Sequence, residues 1–94
     1  MLKQFEIWTA NLNSQRGSEA GKIRPVVVIQ TNLLNEAQHP STIICPLTTK
    51  VIEKSIYLRV HLKKGHFGLK KDSDIMIDQI RAIDNKGFIE LLGV

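Results

Sequence analysis

Five short apolar runs, separated by polar or glycine-containing segments, limit what this chain can fold into. Phe5 to Leu12 alternates loosely and carries Trp8. Pro25 to Ile29 is a β-branched block, too short to favour a helix. Thr42 to Cys45 is a third run, closed by Pro46. Ile56, Leu58, Val60 and Leu62 recur at period 2, with Tyr57, Arg59 and His61 on the opposite face. Ile75 to Ile80 forms a fifth run. Short strands at turn-separated spacing predict a mainly β chain, a small antiparallel barrel or sandwich. The breaks agree. Residues 13–22 form a polar loop, and Thr31 to Pro40 has room for one short helix capped by Thr31 or Asn32. Lys63 to Asp72 is a glycine-containing loop, and Asn85-Lys86-Gly87 is a turn signal.

At 94 residues the chain is too short to divide its apolar side chains between two cores, so residues 1–94 are expected to form a single domain. A domain of this size buries only about 60–65% of its unfolded surface, which predicts marginal stability or reliance on a partner. The single cysteine, Cys45, excludes a disulfide framework, and its apolar run makes it a buried structural thiol. No apolar run approaches the ~20 residues of a membrane helix. Glu6 and Asn11 interrupt any signal-peptide core. The expectation is a cytoplasmic protein that does not engage a membrane.

Charge is unevenly placed. The chain has 13 Lys+Arg against 9 Asp+Glu, and seven of the bases fall between Lys50 and Lys71 with one acid, Glu53. Such a segment is either a solvated lysine-rich loop or a surface for a polyanion or an acidic peptide.

Familiar catalytic signatures are missing. His39, His61 and His66 lack metal-binding spacing, so no metal and no cofactor is expected. Gly65-His66-Phe67-Gly68 is not followed by the Gly-Lys-Ser/Thr of a phosphate loop. More informative is Arg16-Gly17-Ser18-Glu19-Ala20-Gly21-Lys22-Ile23-Arg24-Pro25-Val26-Val27-Val28, a charged loop entering a buried strand through an Arg-Pro pair. Pro25 fixes its own φ and pushes Arg24 into an extended conformation. Arg24 then either pairs with Glu19 or Asp78 as a structural link, or presents its guanidinium to a ligand.

Read together, four segments resemble the MazF/PemK (Kid) toxins. The first is the Arg16 to Val28 stretch, and the second is Ile44-Cys45-Pro46-Leu47-Thr48-Thr49. The others are Gly68-Leu69-Lys70-Lys71-Asp72-Ser73 and Asp78-Gln79-Ile80-Arg81-Ala82-Ile83-Asp84. They occur in the family's order, and the resemblance runs from Glu6 to about Leu92. It implies a small SH3-like antiparallel β-barrel that forms a homodimer. It implies the toxin of a type II toxin–antitoxin pair, a metal-independent endoribonuclease that cuts single-stranded mRNA at short motifs. The products would be a 2′,3′-cyclic phosphate and a 5′-hydroxyl. The second partner would be an antitoxin with an acidic C-terminal tail.

That reaction needs a deprotonated 2′-hydroxyl, a stabilised phosphorane and a protonated 5′-oxygen. A guanidinium grips two phosphate oxygens at once, which makes Arg24 the electrostatic candidate. By the resemblance Arg24 also delivers the leaving-group proton, and Thr48 lies beside it, hydrogen-bonding the same phosphate with support from Thr49. Glu19 and Asp78 are the candidate bases or buttresses, and His66 is a third titrating group. Asp78 matches the base assigned in the Kid branch, but the arginine that branch has two residues earlier is Met76 here. Gln79 and Arg81 are expected to order the groove or contact RNA. Base recognition falls to the loop holding Ser18 and to the Lys50–Lys71 segment, where Lys70 is a phosphate contact and Phe67 either stacks a base or anchors the loop.

Two other functions stay open. A CcdB-like gyrase poison resembles the same fold, but its acting residues lie at the end of a C-terminal helix, and this chain stops at Leu91-Leu92-Gly93-Val94. A non-catalytic SH3-like binding module would have no use for both Arg24 and Thr48. Residues 87–94 have room for one short strand or one helical turn where the family continues into a long helix. The exposed sheet surface this implies predicts a dimer or an antitoxin complex.

Overall fold

The structure, a computed structural model, describes residues 2–12, 22–55 and 57–94. Seven strands and one short helix account for about half of them. They are β1 (Ile7–Asn11), β2 (Ile23–Val28), α1 (Asn32–Glu36), β3 (Ser41–Thr48), β4 (Arg59–Leu62), β5 (Ser73–Met76), β6 (Arg81–Asp84) and β7 (Phe88–Gly93). All pairings are antiparallel, and the order is β4-β5-β3-β2-β1-β7, with β6 also on β3. The mainly β fold with one short helix matches the expectation from the sequence.

One detail differs. β4 and β7 stand at opposite ends of the order, so the sheet is open where a closed barrel was expected. β3 divides its outer edge, pairing β6 along Ser41–Ile44 and β5 at Leu47 and Thr48. That division lets one long strand serve two neighbours without ring closure.

Alternation along the strands sends buried side chains into two clusters, one on each face of the sheet. Ala10, Leu12, Val26, Ile44 and Met76 cluster on one face, with Trp8, Ile83 and Phe88 packed against them. Ile7, Val27, Cys45, Leu47 and Leu69 cluster on the other. Successive side chains of a strand point to opposite faces, so Val26 and Val27, or Ile44 and Cys45, feed different cores. Trp8 and Phe88 meet edge to face, with ring centroids 5.9 Å apart. Cys45 is buried as expected, and burial raises its thiol pKa, consistent with a structural role.

Three strand boundaries move from their expected places. Pro46 does not close the third strand. It lies within β3 and forms the last pair of the β2–β3 ladder, Val26 with Pro46. The period-2 run from Ile56 starts its strand only at Arg59, because Leu58 takes a left-handed φ of 59° that breaks the pleat. Leu58 and Val60 are consequently exposed. The fifth strand is Ser73–Met76, followed by a 3-10 turn at Ile77–Gln79. β6 and β7 add two strands that the five-run reading left out. α1 spans the expected region with Thr31 at its cap position, although no side-chain capping bond forms. Residues 85–87 make the expected turn, where the Asp84 carboxylate accepts the Lys86 N–H.

Ile44 is fully buried between Val26 and Met76. Ile44→Ala removes three carbons there and leaves a cavity, which is expected to cost about 3 kcal/mol. For a chain of this size the melting temperature should fall by about 15 °C. Thermal and urea unfolding followed by circular dichroism checks this; a loss under ~1 kcal/mol would show that the site collapses around the smaller side chain.

Candidate functional site

Two prolines shape the candidate site. A proline brings no N–H to a ladder. Pro25 lies in β2 and Pro46 in β3, and the β2–β3 pairing ends at Val26 with Pro46. Arg24 of β2 and Thr48 of β3 each lie two residues beyond that last pair, just outside the ladder. Alternation puts Arg24 on the face of Val26 and Thr48 on the face of Ile44, and those two residues share one cluster. Arg24 is half-buried, and its Nη1 donates to the Leu47 carbonyl at 3.4 Å, which holds the guanidinium at the end of β3. Thr48 is half-buried, and its Oγ1 accepts the Lys50 N–H at 3.2 Å.

The row continues past Thr48. Asp74 of β5 is the partner of Thr48, and His61 of β4 is the partner of Asp74. Thr48, Asp74 and His61 therefore form one line across three strands, each step about 4.8 Å, with Arg24 beside its β3 end. Asp74 is completely buried. Its Oδ1 is 2.5 Å from His61 Nδ1, and its Oδ2 accepts Arg59 Nη1 at 3.2 Å and the Ile52 N–H at 3.0 Å. Burial pushes this carboxyl up, but the Ile52 N–H, His61 and Arg59 outweigh it and hold it below the usual carboxylate range. His61 moves the other way. Its hydrogen bond to Asp74 and the Ser55 carbonyl raise its pKa, against a smaller desolvation effect, with the Asp74 and Glu53 charges adding to the rise.

Not every residue singled out from sequence joins this row. Thr49 is exposed just beyond the end of β3. Asp78 is exposed and Gln79 half-buried on the 3-10 turn after β5. Arg81 is half-buried opposite Ile44, four residues along β3 from Thr48, or about 13 Å. Met76, where the Kid branch has arginine, is buried in the core with Val26 and Ile44 and supplies packing, not charge. Phe67 and Lys70 are exposed on the Lys63–Asp72 loop, whose Leu69 is buried in the opposite cluster with Val27 and Leu47. His66 is exposed on that loop. Ser18 and Glu19 lie outside the described residues.

Asp74, Arg59 and His61 are the polar residues that the sequence reading did not single out. Thirteen residues and a loop separate His61 from Asp74, so their contact depends on the β4–β5 register. One signal was present, because the period-2 reading already put Arg59 and His61 on a common face. Of the seven basic residues from Lys50 to Lys71, Arg59 is committed to Asp74, while the six lysines are exposed.

Comparison with known proteins bears on this geometry. The fold is similar to that of the Mycobacterium tuberculosis toxin MazF-mt6, with a TM-score of 0.73 and 20% sequence identity over 95% of this chain and 78% of that one. The sequence profile of the PemK-like, MazF-like toxins of type II toxin–antitoxin systems matches residues 3–94. The chain belongs to this family of toxins.

Proposed function

We propose that this toxin is an endoribonuclease acting on single-stranded mRNA, with Arg24 and Thr48 as its catalytic residues. The observation that supports the reading is the bond from Arg24 Nη1 to the carbonyl of Leu47, the residue before Thr48, where the β2–β3 ladder ends. In this reaction the ribose 2′-oxygen attacks phosphorus while its proton goes to a base. The bond to O5′ breaks, O5′ takes up a proton, and a 2′,3′-cyclic phosphate remains. The Arg24 fork meets the charge that gathers on the phosphorane oxygens, where a preorganised cation lowers the barrier most. The Thr48 oxygen already accepts the Lys50 N–H, which aims its O–H away from Lys50 as a donor to the same phosphate. Asp78 and Glu19 are the candidate bases, and in this reading the side chains supply the charge without a metal ion.

The exposed lysines of residues 50–71 favour a polyanion, and they would equally draw the acidic tail of an antitoxin, which blocks RNA by occupying its surface. Ser18, Thr49, Phe67, Lys70, Gln79 and Arg81 are proposed RNA contacts. The toxin is proposed to act as a homodimer in the cytoplasm. Exposed Ile23, Leu33, Ile89 and Val94 give a second copy apolar surface to cover. A single monomeric species in analytical ultracentrifugation would remove the dimer from this reading.

The test of the activity is direct. Purified chain is incubated with a long single-stranded RNA in excess EDTA, and the ends are mapped. Cuts carrying a cyclic phosphate and a 5′-hydroxyl are expected, and a 2′-deoxy nucleotide at a cut site should make that site resistant. RNA that stays intact, or cuts that persist at the 2′-deoxy position, would overturn the reading.

A further inference from the structure

The Thr48 hydroxyl is one end of a chain of contacts that reaches β4. Thr48 Oγ1 accepts from the Lys50 N–H, and the Lys50 carbonyl accepts from Arg59 Nη1 at 3.3 Å. Arg59 also donates to Asp74 Oδ2, which takes the Ile52 N–H as well. Asp74 Oδ1 binds His61 Nδ1, and His61 Nε2 lies 2.9 Å from the Ser55 carbonyl. Three backbone groups between residues 50 and 55 are therefore held by three side chains from β4 and β5. This is the stretch that leaves β3 directly after Thr48.

We propose that His61 is a positioning residue for the Thr48 hydroxyl, acting by tying residues 50–55 to Asp74 and to its own ring. The inference rests on the reading of Arg24 and Thr48 as the phosphate site. Both partners of the imidazole are acceptors, a carboxylate oxygen and a carbonyl oxygen. Only a ring with N–H on both nitrogens satisfies both. The imidazole is the member of the clamp that can give up a proton and with it one of the two bonds. Loss of its proton gives up either Asp74 or Ser55 and loosens the segment that supports Thr48.

The surrounding charges set the direction. Asp74 on β5 and Glu53 on the β3–β4 connection favour the imidazolium, and Arg59 beside it on β4 is neutralised by Asp74. Lys63 and Asp72 line the cavity of about 380 Å³ next to the ring and oppose each other in sign. A histidine pKa raised in the folded state stabilises fully below its ordinary ~6.5 and loses that contribution as pH rises through the raised value. Asp74 is lowered, so its contribution is present above the ordinary carboxylate value and is lost as pH falls through the depressed one. The clamp is complete between those two limits and opens on the alkaline side through His61.

The experiment compares single-turnover RNA cleavage by the wild type and His61→Gln across about pH 5.5 to 9. Glutamine cannot gain or lose the proton and reaches one acceptor at most in the ring's geometry. The variant should be about tenfold slower near pH 6, since small misplacements of a catalytic group cost at least that much. The ratio should shrink toward one as pH rises through the raised His61 value. A ratio that stays flat with pH overturns the proposal. Amide exchange of Lys50 and Ile52, corrected for intrinsic rates, provides an arm that needs neither RNA nor a folded variant. In the wild type their protection should drop with rising pH while that of Val26 and Ile44 holds. Unchanged protection overturns the proposal whether or not RNA is cut. If the wild type cuts no RNA while the exchange behaves as expected, the nuclease reading fails alone and the clamp stands.

Discussion

Arg24→Ala is expected to lower single-turnover RNA cleavage about a thousandfold with the fold intact. Guanidinium contacts to a transferring phosphoryl group contribute on this order, because charge develops on the phosphate oxygens as the 2′-oxygen attacks. Arg24 is half-buried at the end of the β2–β3 ladder, where its Nη1 donates to the Leu47 carbonyl at 3.4 Å. Arg24→Lys keeps the charge but loses the planar fork, and should recover about tenfold over alanine. Gel-resolved cleavage of end-labelled RNA measures the rates, and matching thermal melts confirm folding. An alanine variant within tenfold of the wild type would place Arg24 away from the phosphate. The lysine comparison separates charge from geometry, which loss of activity alone does not.

Gly68→Ala is expected to destabilise the fold by about 3 kcal/mol, against about 1 kcal/mol for Gly65→Ala three residues earlier. Both glycines have positive φ, +72° and +87°, which costs a side chain roughly 1–2 kcal/mol. Their surroundings differ. A Cβ at Gly68 would lie 2.2 Å from the Leu92 carbonyl oxygen and 2.8 Å from its carbon, both backbone atoms of β7. A Cβ at Gly65 would meet nothing within 4 Å. β7 cannot retreat easily, because it is hydrogen-bonded along β1. Overpacking against fixed backbone adds about 1–3 kcal/mol. The melting temperature should fall by about 15–20 °C for Gly68→Ala and about 5 °C for Gly65→Ala. Equal losses would show that the close approach to β7 relaxes freely.

These two glycines change the meaning of the Gly65-His66-Phe67-Gly68 segment. The segment lacks the residues of a phosphate loop, and its spacing alone gives the glycines no role. The structure does, since the tip of the Lys63–Asp72 loop lies backbone to backbone on Leu92 and Gly93. Leu69 then drops into the cluster with Val27 and Leu47. Phe67 remains more than one third exposed while its backbone is held against β7.

Legibility followed burial. β1 and β2 could be read because each feeds both clusters, Ile7 and Ala10 from β1 and Val26 and Val27 from β2. β6 was hidden because Arg81 and Asp84 interrupt a four-residue strand, and half of its residues face solvent. β4 was misplaced at its start because periodicity says nothing of the left-handed turn at Leu58. Pro46 looked like a strand terminator. It is tolerated inside β3 because the ladder to β2 ends at that residue, where a missing N–H is least costly.

Taken alone, the sequence determined a small antiparallel β fold, an extended Arg24 ahead of Pro25, a local surplus of lysine and the family resemblance. Each follows from local chemistry: alternation, the proline ring, counted charge and ordered motifs. Only the tertiary structure decided that Asp74 and His61 stand in register with Thr48. Thr48, Asp74 and His61 come from three strands, and the β3–β5 and β4–β5 registers together bring them into a line. A slip of one residue would turn any of them to the other face, so no local pattern encodes the row. The structure also decided that Arg59 serves Asp74 and that Met76 fills the core. Such choices depend on which groups burial strands without water, and burial is a property of the whole fold.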